Sequence, residues 1–170
     1  FVIGGRESES YLVDLSLDKW ATYERLNYQC SDLEGQRWFI EYDGRLVAHD
    51  EATGEWKAYS AEDGVPDEPN RVFCSSDGTV WASGQHENRA AVGFRQDGEW
   101  RRERFFDAGY RISYVGVTET GDGSVLFGDG TPRRKEANEG GLVVFKKVRG
   151  EWMSSKLTPP VFPVRVANIV

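Results

Sequence analysis

Methionine occurs once in the 170 residues, histidine twice and cysteine twice. With only His49 and His86, a histidine-based metal centre would need both. They sit in non-equivalent contexts, one in an apolar run and the other in the loop-like stretch Gly84 to Arg89, so no metal and no cofactor are expected. No apolar run approaches the roughly 20 residues a spanning helix requires, and no membrane contact is expected. No signal peptide is present, but the chain starts with Phe1 in an apolar run, as a piece of a longer protein would. Phosphate loops, HExxH and Ser-His-Asp arrangements are missing. Basic charge is in deficit: 21 Lys and Arg face 28 Asp and Glu, a net charge of −7, which argues against nucleic acid as a partner. Helical periodicity is absent throughout.

What the chain does have is glycine (19 residues) and aromatic side chains (13%), and both recur in a pattern. Asp18-Lys19-Trp20, Gly54-Glu55-Trp56, Gly98-Glu99-Trp100 and Gly150-Glu151-Trp152 each close a local unit. Gly35, Gly78 and Gly123 each stand three residues before an apolar residue: Trp38, Trp81 and Leu126. The stretch Ala61 to Gly84 shows the unit best. A Glu62-Asp63-Gly64-Val65-Pro66 loop leads into the strand-forming run Arg71 to Cys74, and the Asp77-Gly78 turn leads to a returning strand from Thr79 to Ala82. One further strand precedes each Trp. A period of about 40 to 45 residues with four short strands per unit marks a β-propeller blade.

The expected fold is therefore all-β: a propeller of four-stranded antiparallel blades, about four blades' worth. The boundaries read as a partial blade over 1–25, blades at about 26–60, 70–105 and 111–157, and a spare inner strand over 164–170. The spare strand either completes the first blade and closes a ring of four, or the segment is an arc of a larger propeller, which is the reading preferred here. In the second case the remaining blades, from the same protein or a second copy, are the implied partners.

Glu62-Asp63-Gly64-Val65-Pro66, Asn70-Arg71-Val72 and Ser76-Asp77-Gly78-Thr79-Val80-Trp81 resemble the two-component regulator propeller repeat. The match is good over residues 59–84 and weaker elsewhere, and Ala82-Ser83-Gly84 departs from it. The resemblance implies a periplasmic or extracellular sensor domain for signal transduction, of the kind that precedes a membrane helix and a kinase module. Ser75-Ser76-Asp77-Gly78-Thr79-Val80-Trp81 is also similar to the Asp-box of sialidase-type propellers, one residue short; this reads as a turn. The competing function is part of a glycan-processing propeller enzyme, sialidase-like or a lyase. No catalytic residue stands out, since 28 acids make chance carboxylate pairs common.

The candidate ligand-binding residues are arginines at the starts of inner strands: Arg71, Arg111 and Arg165, with Arg25 a looser equivalent and Tyr110 beside them. Guanidinium forks gathered at one face of a propeller suit a carbohydrate or a small anionic ligand. The alternative is that each arginine braces its own loop through Asp67, Glu68 or Asp107. Trp56, Trp100 and Trp152 read as packing between blades. Arg133-Arg134-Lys135 forms a basic cluster in a long insertion. Cys30 and Cys74 fall at nearly matching places in adjacent inner strands, which are expected to diverge beyond disulfide reach. Two buried free thiols are predicted.

Overall fold

The computed structural model describes residues 2–3, 9–14, 19–106, 111–129 and 141–157. They form a partial β-propeller. Blade 1 contributes three strands, β1 (Val2–Ile3), β2 (Glu9–Asp14) and β3 (Lys19–Glu24). Blade 2 comprises β4 (Leu26–Ser31), β5 (Gln36–Glu41), β6 (Leu46–Asp50) and β7 (Trp56–Tyr59). Blade 3 has β8 (Glu68–Cys74), β9 (Val80–His86), β10 (Arg89–Gln96) and β11 (Glu99–Phe105). Blade 4 has β12 (Ile112–Glu119), β13 (Val125–Asp129), β14 (Leu142–Val148) and β15 (Glu151–Leu157). Each sheet is a simple antiparallel meander, and the first strands β4, β8 and β12 lie side by side, nearest the axis.

The turns follow from short polar chemistry. Between β8 and β9 the Ser75 amide donates to the Thr79 carbonyl, and Gly78 takes φ 87°, a conformation most side chains avoid. Asp77 accepts from the Ser75 hydroxyl (2.7 Å) and the Thr79 amide (3.1 Å). Thr120, Asp122 and Ser124 repeat this arrangement in blade 4.

The core lies between the sheets, in three seams. Between blades 1 and 2 the described side chains gather around Phe39 and Val47 with Tyr23, Leu26 and Tyr28. Blades 2 and 3 enclose Trp38, Leu46, Tyr59, Val65, Val72 and Val80, with Trp100 against them. Blades 3 and 4 enclose the largest, built on Trp81, Phe94, Phe127, Phe145 and Trp152. One tryptophan relation recurs. Trp100 of blade 3 meets Trp38 of blade 2 edge-on at 5.8 Å, and Trp152 of blade 4 meets Trp81 of blade 3 at 4.8 Å.

The expected free thiols are corrected: Cys30 and Cys74 form a disulfide with a Cα separation of 6.0 Å. Cys30 pairs with Trp38 and Phe73 with Trp81, so Cys30 corresponds to Phe73 and is one position out of step with Cys74. A one-residue offset on a strand turns the side chain to the other face. Cys30 therefore faces blade 3 and Cys74 faces blade 2, both packed against the same seam.

Candidate functional site

The β3–β4, β7–β8 and β11–β12 connections and the second-to-third-strand turns share one end of the sheets, called here the upper face. The Glu62-Asp63-Gly64-Val65-Pro66 loop lies on it and is a clasp between blades. Ser60 caps the short 3-10 turn Ala61–Asp63: its hydroxyl accepts from the Glu62 amide (3.2 Å), while its own amide donates to Asp63 (2.8 Å). Arg102 of β11 then donates to the carbonyls of Ala61 (2.8 Å) and Val65 (2.6 Å). The loop presses so closely on β10 that a Cβ at Gly93 would stand 3.1 Å from both the Gly64 carbonyl and the Pro66 ring.

Strand register decides which candidate arginines belong together. Leu26, Pro69 and Ile112 pair with Glu41, Gly84 and Asp129, three residues beyond Trp38, Trp81 and Leu126 respectively. The residues just before them, Arg25, Glu68 and Arg111, are thus equivalent. Arg71 is not in that set: it lies inside β8 opposite Ser83, beyond a bulge. The leading ends of successive inner strands carry positive, negative and positive charge, and Arg111 reaches Glu68 at 3.7 Å. Local bracing, one of the two expectations for these arginines, describes Arg111. Tyr110 and Arg165 lie outside the described residues, as do Asp107, Arg133-Arg134-Lys135 and the expected inner strand over 164–170.

Arg71 stands differently. Strand alternation puts it on the same face of blade 3 as Phe73, which packs into the seam with blade 4. Ser83, directly opposite, is buried. Among the described residues no hydrogen-bond partner meets Arg71 Nε, Ser83 Oγ or Asn70 Oδ1, all removed from solvent. The Asn70 amide nitrogen donates to the Ile112 carbonyl (2.8 Å), which ties the start of β8 to β12. Buried polar groups are normally paired, so this seam holds an unusual concentration of unmet hydrogen-bonding capacity.

His86 Nδ1, buried and without a hydrogen-bond partner among the described residues, lies 3.5 Å from Asp67, and Asp67 accepts from the Glu87 amide (3.1 Å). Glu87 in turn pairs with Arg104. Both turn residues, Glu87 and Asn88, have positive φ. No group of three or more His, Cys, Asp or Glu suited to a metal occurs among the described residues.

On the opposite face the blades are stapled by charge. Lys147 of blade 4 donates to Asp77 of blade 3 (2.6 Å), and Arg95 of blade 3 approaches Glu34 of blade 2 (3.7 Å). Burial of the Asp77 carboxylate works against its charge. Hydrogen bonds from Lys147, Ser75 and Thr79 outweigh that and bring it down to about 2.

One feature escaped the sequence reading. Trp56 stacks on His49 (4.4 Å) and leans on Phe39 and Tyr23, yet remains 48% exposed, against 7% for Trp152. The signal lay in blade 1: Val2 holds the register position that Trp38 and Trp81 hold in blades 2 and 3.

No family model matches the chain, and no curated protein matches it. Solved structures do. A gluconolactonase-like protein solved by X-ray crystallography aligns with a TM-score of 0.59 at 18% identity, covering 94% of this chain and 59% of that one. The N-terminal domain of Nup159 aligns with a TM-score of 0.49 at 12% identity, over 92% of this chain and 47% of that one. The chain thus spans about three-fifths of the gluconolactonase-like protein. The first likeness, with the three four-stranded sheets, makes the fold a partial β-propeller, and leaves the two-component regulator family as a resemblance in the repeats alone.

Proposed function

We propose that this chain is a non-enzymatic, ligand-binding segment of a larger β-propeller in an extracytoplasmic receptor of the two-component type. Its ligand is a small anion or an acidic oligosaccharide, held at the upper end of the seam between blades 3 and 4. The observation that carries this reading is the buried, unpartnered Nε of Arg71 beside the equally unpartnered Ser83 hydroxyl. A carboxylate or uronic acid supplies acceptors for both, and a charged hydrogen bond in a shielded seam is among the stronger polar contacts a protein makes. The Cys30–Cys74 disulfide supports the location, since such bonds persist in oxidising compartments. The repeat resemblance around Glu62 to Trp81 supports the sensory role.

Titration calorimetry with tetragalacturonate tests this. Saturable binding that weakens at least tenfold in Arg71→Ala and survives in Arg71→Lys at reduced strength is expected. Equal affinity in wild type and Arg71→Ala would sink the reading. The gluconolactonase-like neighbour favours a second reading, a segment of a propeller enzyme acting on sugar lactones or glycans. Hydrolysis of gluconolactone by the chain, above the buffer rate and dependent on Arg71, would move the seam from receptor to enzyme.

A further inference from the structure

We propose that the groove between blades 1 and 2 is a second binding site, for a neutral oligosaccharide, with Trp56 as the platform for one pyranose ring. The groove has a volume of about 660 Å³, within the range of small-molecule sites. Its floor is apolar, from Leu26, Val47 and Ala58. Trp56 is one wall. The ring is rigidly supported on one side by His49 and Phe39 and at its edge by Tyr23. At the register position where blades 2 and 3 carry Trp38 and Trp81, blade 1 carries Val2, and Trp56 is 48% exposed. A supported indole with an open face is suited to a pyranose ring, which offers a flat array of C–H bonds to a π-surface and hydroxyls at its rim.

The charges choose the class of sugar. Arg25, Arg45 and Lys57 line the groove together with Glu24, Glu41 and Asp43, so cations and carboxylates are equal in number. They are also mutually engaged. Arg45 pairs with Glu41 (2.7 Å) and with Asp43 (3.1 Å), and Lys57 lies over the Tyr59 ring. An acidic sugar gains no net attraction here, whereas hydroxyls find alternating donors and acceptors. Tyr42, 71% exposed at the turn between β5 and β6, offers a second ring at the rim. A separate hollow of about 410 Å³ borders it at Asp43, Arg45 and Ala58 and lies toward Pro66 and Pro69.

This site shares no residue with the Arg71 seam, so the two readings stand or fall separately. The test is an NMR titration of the tryptophan indole N–H signals with cellotetraose, xylotetraose, chitotetraose and tetragalacturonate. At least one neutral tetrasaccharide should shift the Trp56 signal saturably. Affinity should fall at least tenfold in Trp56→Ala, stay within about threefold in Trp56→Phe, and be unchanged in Arg71→Ala. A thermal melt of Trp56→Ala within a few degrees of wild type, expected for a half-exposed residue, separates lost binding from lost fold. Absence of any shift at Trp56, or wild-type affinity in Trp56→Ala, overturns the proposal. Binding confined to tetragalacturonate and lost in Arg71→Ala also overturns it, while upholding the seam.

Discussion

Cys30 and Cys74 link blades 2 and 3 at their inner strands, across a seam whose packing is already extensive. A bridge spanning 44 residues restricts the unfolded chain and typically contributes about 2–4 kcal/mol. Cys30→Ala with Cys74→Ala should therefore lower the melting temperature by roughly 6–12 °C, at about 3 °C per kcal/mol for a chain of this size. Reductant should reproduce the drop in wild type and do nothing to the double variant. Asp77 supplies a pH-dependent counterpart. Its carboxyl is held at about 2 in the folded state, against 3.8 without such partners. A depressed acid pKa gives stability that is complete above about pH 4 and lost as pH falls toward 2. Because Asp77 is largely solvated, the whole effect should be about 1 kcal/mol or less. Urea midpoints at pH 5 and pH 2.5 should differ less in Lys147→Met than in wild type. The residue scale also shows where sequence reading fails. Cys30 and Cys74 look nearly matched along the chain, yet Cys30 stands eight residues before Trp38 and Cys74 seven before Trp81, and that shift of one position decides whether two side chains turn apart or meet. The same blindness groups Arg71 with Arg111, although register makes Glu68 the true counterpart of Arg111.

At the scale of elements, the loop from Ser60 to Pro66 joins one blade to the next by backbone contact. Arg102 holds two of its carbonyls, and Gly93 gives it room. Arg102→Ala would leave the Ala61 and Val65 carbonyls without that donor, at a cost of about 2 kcal/mol. Hydrogen exchange of the loop amides should rise at least tenfold while β14 and β15 are unaffected. Gly93→Ala tests the same contact from the other side. Its methyl group would stand 3.1 Å from the Gly64 carbonyl and the Pro66 ring, so the loop must shift, and a loss of about 1–3 kcal/mol is expected. An unchanged melting temperature would mean that the loop is loose. This element was legible as a loop because Gly64 and Pro66 impose backbone angles that strands do not accept. The blades were legible for a related reason. Asp-Gly turns and the Gly-Glu-Trp triplets mark both ends of the outer hairpins, and alternation does the rest. What the loop grips was not legible. Arg102 is one of several basic residues in Arg101-Arg102-Glu103-Arg104, and only pairing with Gly93 shows that it faces blade 2. The site suffers likewise, since an unpaired Arg71 and an uncovered Trp56 are properties of neighbours distant in sequence.

At the scale of the whole molecule, each described sheet packs on the next, so stability is approximately a sum of blade and seam contributions. The seams are unequal. Between blades 3 and 4 lie eleven buried residues, among them Trp81, Phe127 and Phe145 with no more than 1% exposure. Between blades 2 and 3 lie eight, reinforced by the disulfide, the Arg102 clasp and a hydrogen bond from the Val72 amide to the Gln29 side chain. Between blades 1 and 2, Phe39 and Val47 of blade 2 are buried. At about 1.5–3 kcal/mol per large apolar side chain, each such residue contributes more than thermal energy to its seam. Opening should therefore go seam by seam, with blades 3 and 4 the last pair to separate. Native-state hydrogen exchange would show this as a ladder, with amides of β9 and β10 exchanging last. Leu46→Ala, in the second seam, should make β4 to β7 exchange faster while β13 and β14 are unaffected. Phe39→Ala should release blade 1 and hardly touch β13. If all amides exchange together at one free energy, the row-of-seams account fails and the segment behaves as one cooperative core. The groove at Trp56 is lined from the end of β3 and from β4 to β7, so a sugar bound there should protect these strands more than any others. Protection of that kind would join binding at the groove to the stability of the seam beneath it.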